Sequence, residues 1–180
     1  MSTDWIFGYG SLMWNPCFLY QERRLATLHG SHRAFTQPST RNWGNQSFPG
    51  PTLCLKSGGH LTGIAFRVRP EELNEILECL RKREGQDPEI REIQLTYGRA
   101  VRAYVWLMTQ RKQWDDLSLD KLAQKAVDNH RNRQRSPGYE NGDAVDYLRE
   151  LKKNIDEMGI NDEHVNAYWA SVEARLEEES

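Results

Sequence analysis

The chain is poor in cysteine. It has three, Cys17, Cys54 and Cys79, set far apart and with no CxxC pair. That count argues against a disulfide framework and for a reducing, cytoplasmic setting. Long apolar runs are missing as well. No window reaches the roughly 18 apolar residues that a membrane-spanning helix needs. The first residues lack a basic start followed by an apolar stretch, so no secretory signal is expected. An excess of either charge is also lacking: the formal net charge is −2. Nothing therefore draws the chain toward nucleic acid or an acidic membrane. Histidines are few and scattered. No carboxylate or third histidine joins His29 and His32, and His60, His130 and His164 stand apart, so no metal site is expected.

What is present suits one α+β domain over residues 1–180 with a single core, since 38% of the 180 residues are hydrophobic. Strand patterns fill the first two-thirds. They are Trp5 to Phe7, Arg24 to Phe35, Thr52 to Lys56, Leu61 to Val68, Ile90 to Tyr97 and Val101 to Met108. Ser57-Gly58-Gly59-His60 has hairpin-turn composition, and Gln37 to Pro51 reads as a long polar loop. Helical stripes fill the last third: Leu119 to Val127, Ala144 to Met158 and Val165 to Leu176, with Asn161 the expected N-cap of the third. Strands first and helices last argue against a parallel βαβ sheet. The basic run Arg131 to Arg135 reads as a solvated helix end.

The stretch with most chemical content is Phe7-Gly8-Tyr9-Gly10-Ser11-Leu12-Met13. Two glycines around a tyrosine end a buried strand and let the backbone bend closely. Such a turn is either plain hairpin chemistry or a concavity of N–H groups suited to a carboxylate or oxyanion. No Gly-Lys-Ser/Thr follows, which excludes a Walker loop, and no third glycine follows to make a dinucleotide fingerprint.

The second informative residue is Glu84. Pro70 opens a helix whose apolar face carries Leu73, Ile76, Leu77 and Leu80, and Gly85 stops it. Glu84 lies four residues after Leu80 and seven after Leu77, so it projects from the apolar face. It also occupies the last turn, where the helix dipole disfavours an anion. Both circumstances favour the protonated form, while Arg81, Lys82 and Arg83 are expected to point elsewhere. Glu84 is either a frayed helix end reaching water or a general base.

Together these features carry a resemblance. A strand running into Phe7-Gly8-Tyr9-Gly10-Ser11-Leu12, then a distant helix ending in Arg83-Glu84, resembles the γ-glutamylcyclotransferases, and within them the ChaC-like, glutathione-specific branch. Met13 to Pro16, Gly30 to Phe35 with Gln37 and Ser39, Pro49 to Leu53, Gly63 to Val68, Ser136 to Tyr139, Tyr147-Leu148 and Gly159 to Asp162 are similar to that branch too. Two segments depart from it: Gly85-Gln86-Asp87-Pro88 after the glutamate, and Arg41-Asn42-Trp43 beyond Ser39. The resemblance implies a small closed mixed β-barrel with surrounding helices. It implies a small-molecule substrate, glutathione or another γ-glutamyl compound, and no cofactor, metal, nucleic acid or membrane. The reaction it implies is attack of the substrate's α-amine on its own γ-carbonyl, releasing 5-oxoproline. In that chemistry Glu84 is the general acid/base. Gly8, Tyr9, Gly10, Ser11, Leu12 and Met13 bind the substrate, with Arg41 and Tyr139 as further pocket candidates. An ordinary Glu of pKa about 4.3 facing an α-amine of about 8 leaves a gap of roughly 5 kcal/mol, which a partly buried site must narrow. The alternatives the resemblance leaves open are other γ-glutamyl amino acids or amines, and a non-catalytic binding module.

Overall fold

A computed structural model of the chain describes residues 3–107, 114–133 and 142–178. Strand β1 (Trp5–Gly8) leads into a single 3-10 turn (Ser11–Met13), followed by β2 (Glu22–Ser39) and β3 (Gly50–Arg67). Helix α1 (Leu73–Glu84) precedes β4 (Glu89–Leu95) and β5 (Ala100–Val105), and α2 (Leu119–Asn132), α3 (Ala144–Glu157) and α4 (Glu163–Glu177) complete the order. The strands close into a barrel in the order β1-β3-β2-β4-β5. β1 is antiparallel to β3, with Phe7 opposite Ala65, and parallel to β5, with Ile6 opposite Tyr104. β4 is antiparallel to both β2 and β5. The α+β class and the closed mixed barrel both hold.

One expectation is corrected. Ser57 to His60 is no hairpin reversal but a passage within the single strand β3. Gly58 and Gly59 adopt φ of 96° and 71°, and Gly30 on β2 adopts 78°. These left-handed residues bend two neighbouring strands instead of ending them. The polar connection between β2 and β3 is correspondingly shorter than the composition of Gln37 to Pro51 indicates.

The chain divides into two compact units, Met1–His32 with Lys56–Met108 and Arg33–Leu55 with Thr109–Ser180. In the first, α1 turns Leu73, Ile76, Leu77 and Leu80 onto Ile6, Leu12, Val68 and Trp106. Burying each such side chain contributes about 1.5–3 kcal/mol, so this face fixes the rotation of α1. In the second, α2, α3 and α4 pack on one another through Ala123, Ala126, Val127, Leu148, Leu151 and Val172, all inaccessible to solvent. Leu119, expected in that stripe, is exposed at the helix start. The N-cap of α4 is Asp162, not Asn161. Asp162 accepts the Val165 N–H at 3.1 Å and the buried Arg33 Nη1 at 2.6 Å. Asn161 instead accepts from the Asn166 side chain at the surface.

Candidate functional site

The turn after β1 depends on a missing side chain. A Cβ on Gly8 would lie 2.9 Å from Leu12 Cβ and 3.3 Å from Phe66 Cε2. Without it the chain folds back tightly enough for the Met13 N–H to donate to Gly10 O at 2.8 Å and the Asn15 N–H to Ser11 O at 2.8 Å. The Met13 amide is thus engaged inside the turn. As in any helix start, the amides of Ser11 and Leu12 have no partner within the 3-10 turn itself. Tyr9, Leu12 and Met13 bury their side chains, and the Tyr9 hydroxyl donates to the Trp106 carbonyl. These three side chains anchor the turn. Gly10 and Ser11 are its partly accessible residues.

Glu84 is the last residue of α1. Gly85 follows in the left-handed conformation at φ 70°, and its N–H closes the helix on Arg81 O at 2.8 Å. The rotation fixed by the Leu77 and Leu80 packing leaves the Glu84 side chain only 19% exposed. Glu84 is therefore half-buried rather than frayed into water.

The surroundings of Glu84 correct the expectation that all three preceding cations point elsewhere. Arg81 Nε does turn away, donating to Asp87 Oδ1 at 2.6 Å, and Lys82 pairs with Glu78 at 2.9 Å. Arg83 does not. Its Nε lies 3.4 Å from Glu84 Oε1. Its Nη2 donates to Ser11 Oγ at 2.8 Å and its Nη1 to Asn15 O at 2.7 Å. One guanidinium thus joins the turn after β1 to the carboxylate that ends α1. A guanidinium at this position also offsets the unfavourable helix-end field on the glutamate.

Beyond Gly85, the Trp106 indole Nε1 donates to Gln86 O at 3.0 Å, tying the segment after Glu84 to the end of β5. The Gln86 side-chain oxygen is buried with no hydrogen-bond partner among the described residues. Sequence reasoning missed Arg83, Trp106 and Gln86. A signal for Arg83 did exist: Glu78 sits four residues before Lys82, a spacing that pairs them on the helix surface and removes Lys82 from contention. Of the other candidates, Arg41 is exposed on the β2–β3 connection in the second unit. Tyr139 lies outside the described residues. Among the described residues no group of three His, Cys, Asp or Glu is placed to hold a metal ion, and no helix is long and apolar enough to cross a membrane.

A carboxylate at a helix end, bound through an arginine to the tight turn after β1 of a closed barrel, is the arrangement that the fold brings together. A family model described as ChaC-like protein matches residues 4–175, and the chain belongs to that family. A glutathione-specific gamma-glutamylcyclotransferase of Escherichia coli strain K12 is 35% identical, the match covering 97% of this chain and 74% of that protein. Glutathione-specific gamma-glutamylcyclotransferase 1 of Mus musculus is 42% identical over 83 residues, 45% of this chain and 37% of the mouse protein. The crystal structure of a glutathione-specific γ-glutamyl cyclotransferase from yeast superposes with a TM-score of 0.82, covering 94% of this chain and 95% of that one. At 20% identity that last likeness establishes the fold alone.

Proposed function

We propose that this chain is a cyclotransferase that cleaves the γ-glutamyl bond of glutathione into 5-oxoproline and cysteinylglycine. The observation that carries the reading is the end of α1, where Glu84 is half-buried and linked through Arg83 to the turn after β1. The bacterial relative's name supports the choice of substrate.

The reaction needs no external nucleophile. The substrate's α-amine nitrogen bonds to its own γ-carbonyl carbon, the bond from that carbon to the cysteinyl nitrogen breaks, and the five-membered lactam leaves. Glu84 takes one proton from the α-ammonium before attack and passes it to the departing nitrogen. The second proton that the attacking nitrogen sheds on ring closure also ends on that amine, which leaves as an ammonium, so protons balance over the cycle. Amides of the Gly8–Met13 turn, those of Ser11 and Leu12 foremost, hold the substrate carboxylate or the carbonyl oxygen as its negative charge develops. The remaining contribution is conformational: a glutamyl chain held folded on itself reacts as a near-attack geometry.

We read residues 1–180 as one functional domain, a reading supported by a family match that spans residues 4–175. The sparse and widely spaced cysteines, Cys17, Cys54 and Cys79, support a reducing, cytoplasmic setting. Incubation of the purified chain with glutathione, followed by assay of 5-oxoproline and cysteinylglycine, tests the reaction. Both products should appear in equal amounts. Release of 5-oxoproline from other γ-glutamyl amino acids but not from glutathione would replace the substrate and keep the chemistry. No release from any γ-glutamyl compound would leave a non-catalytic binding module.

A further inference from the structure

We propose that Arg83 is the positioning residue of this site, aiming the Glu84 carboxylate by locking its own guanidinium to the turn after β1. The inference rests on Glu84 being the general base. Three cations crowd the last turn of α1, and any of them satisfies the helix dipole. Arg81 and Lys82 form outward pairs with Asp87 and Glu78, on side chains that are more than half exposed. Arg83 is different in kind. Its side chain is 25% exposed, and all three of its nitrogens face acceptors: Nη1 the Asn15 carbonyl, Nη2 the Ser11 hydroxyl, Nε the Glu84 carboxylate.

The geometry of guanidinium gives these contacts a consequence. The group is planar and rigid, so fixing two terminal nitrogens on two separate points of the turn fixes the plane, and with it the direction of the third nitrogen. Glu84 Oε1 therefore lies 3.4 Å from a charged nitrogen whose placement is set by the turn that is to hold the substrate. The base and the donor turn become one rigid assembly, although two long strands and the length of α1 separate them in sequence. A lysine at 83 keeps the charge but offers a single point donor that cannot span the same partners. If Arg83 served only to neutralise the helix end, lysine would replace it at little loss, because it brings the same positive charge to the same place. If it aims the base, lysine must fail, since displacing a reacting group by about 1 Å can cost on the order of 100-fold in rate.

The test compares wild type with Arg83→Lys, Arg83→Met, Ser11→Ala and the Arg83→Met/Ser11→Ala double variant. Each is assayed for 5-oxoproline release from glutathione over a range of concentrations, with thermal melting alongside. We expect kcat to fall about 100-fold in Arg83→Met and at least about tenfold in Arg83→Lys, with KM changed by less than about threefold. The double variant should lose little beyond Arg83→Met alone, because Ser11 acts through the same guanidinium. Near wild-type kcat in Arg83→Lys overturns the proposal. So does a rise in KM alone, or full multiplication of the two single losses. If Arg83→Met does not fold, Arg83→Lys and Ser11→Ala decide, since each keeps most of the local packing. A wild-type chain that makes no 5-oxoproline at all removes the parent reading instead, and is told apart by the wild-type assay alone.

Discussion

The carboxylate ending α1 and the two that begin α3 and α4 are opposites. Asp143, fully buried, accepts the Val145 and Asp146 N–H groups at 2.9 and 3.0 Å and pairs with His130 Nδ1 at 2.9 Å. Asp162 accepts the Val165 N–H and meets buried Arg33 at 2.6 Å. Both sit at the positive end of a helix, where amides and dipole favour the anion. Glu84 sits at the negative end of its helix, with the Arg83 Nε approaching at 3.4 Å. The two aspartates cap helices and are bound by backbone N–H groups, whereas Glu84 ends a helix and keeps 19% of its side chain exposed. On the function proposed above, the first arrangement serves the fold and the second leaves a carboxylate within reach of substrate.

The widest break in that contrast is Glu84→Gln. It should lower 5-oxoproline formation by about 10⁴-fold, the upper end for loss of a general base, equivalent to about 5.5 kcal/mol. Stability should change by less than about 1 kcal/mol, since removing an anion from the negative helix end is set against losing its 3.4 Å pairing with Arg83. Steady-state assay with a parallel melting curve checks both halves. Near wild-type turnover would return Glu84 to an ordinary helix end.

The aspartates should show the reverse pattern. Asp162→Asn keeps an N-cap but removes the carboxylate that pairs with buried Arg33 at 2.6 Å, so urea unfolding should show a loss of about 3–5 kcal/mol. Adding Arg33→Met removes the other half of the buried pair, and the double variant should recover part of that loss. A double variant no more stable than Asp162→Asn would mean the cost lies elsewhere in α4. Asp143→Ala should cost less, about 1–2 kcal/mol for the lost capping bonds, read in the same unfolding experiment.

How far the sequence carries this contrast depends on the kind of signal. The placement of Glu84 was legible because it rests on helical periodicity from Leu73 to Leu80, and the observed packing repeats that stripe. The α4 cap was misplaced by one residue. Asn161 and Asp162 are both good caps by type, and only the position of Arg33, far away in sequence, selects between them. The glycines at 58 and 59 were misread because composition reports a left-handed backbone without reporting whether the strand reverses or merely bends. Arg83 was only partly legible: the Glu78–Lys82 spacing sets Lys82 aside without pointing to Arg83. Neighbours in a helix point about 100° apart, but a long arginine can reach back across that angle, and a spacing rule fixes only where its Cβ points.

The smallest effect concerns the segment just after Glu84. Its backbone is secured by the Trp106 indole on Gln86 O, which a side-chain change does not disturb. Its side chain is another matter, because the buried Gln86 Oε1 has no hydrogen-bond partner among the described residues. An unmatched buried acceptor costs about 1–3 kcal/mol. Gln86→Met, close in length and without the amide, should therefore stabilise the free protein by about 1 kcal/mol in urea unfolding. This runs against the common outcome, since most substitutions at packed positions destabilise. A loss of stability would mean the amide is satisfied by solvent, and the segment would then resemble the aspartate sites more than the contrast allows. A gain accompanied by slower turnover would sharpen the contrast instead, for it would show that the segment bearing the base keeps an unmet acceptor at the expense of the fold.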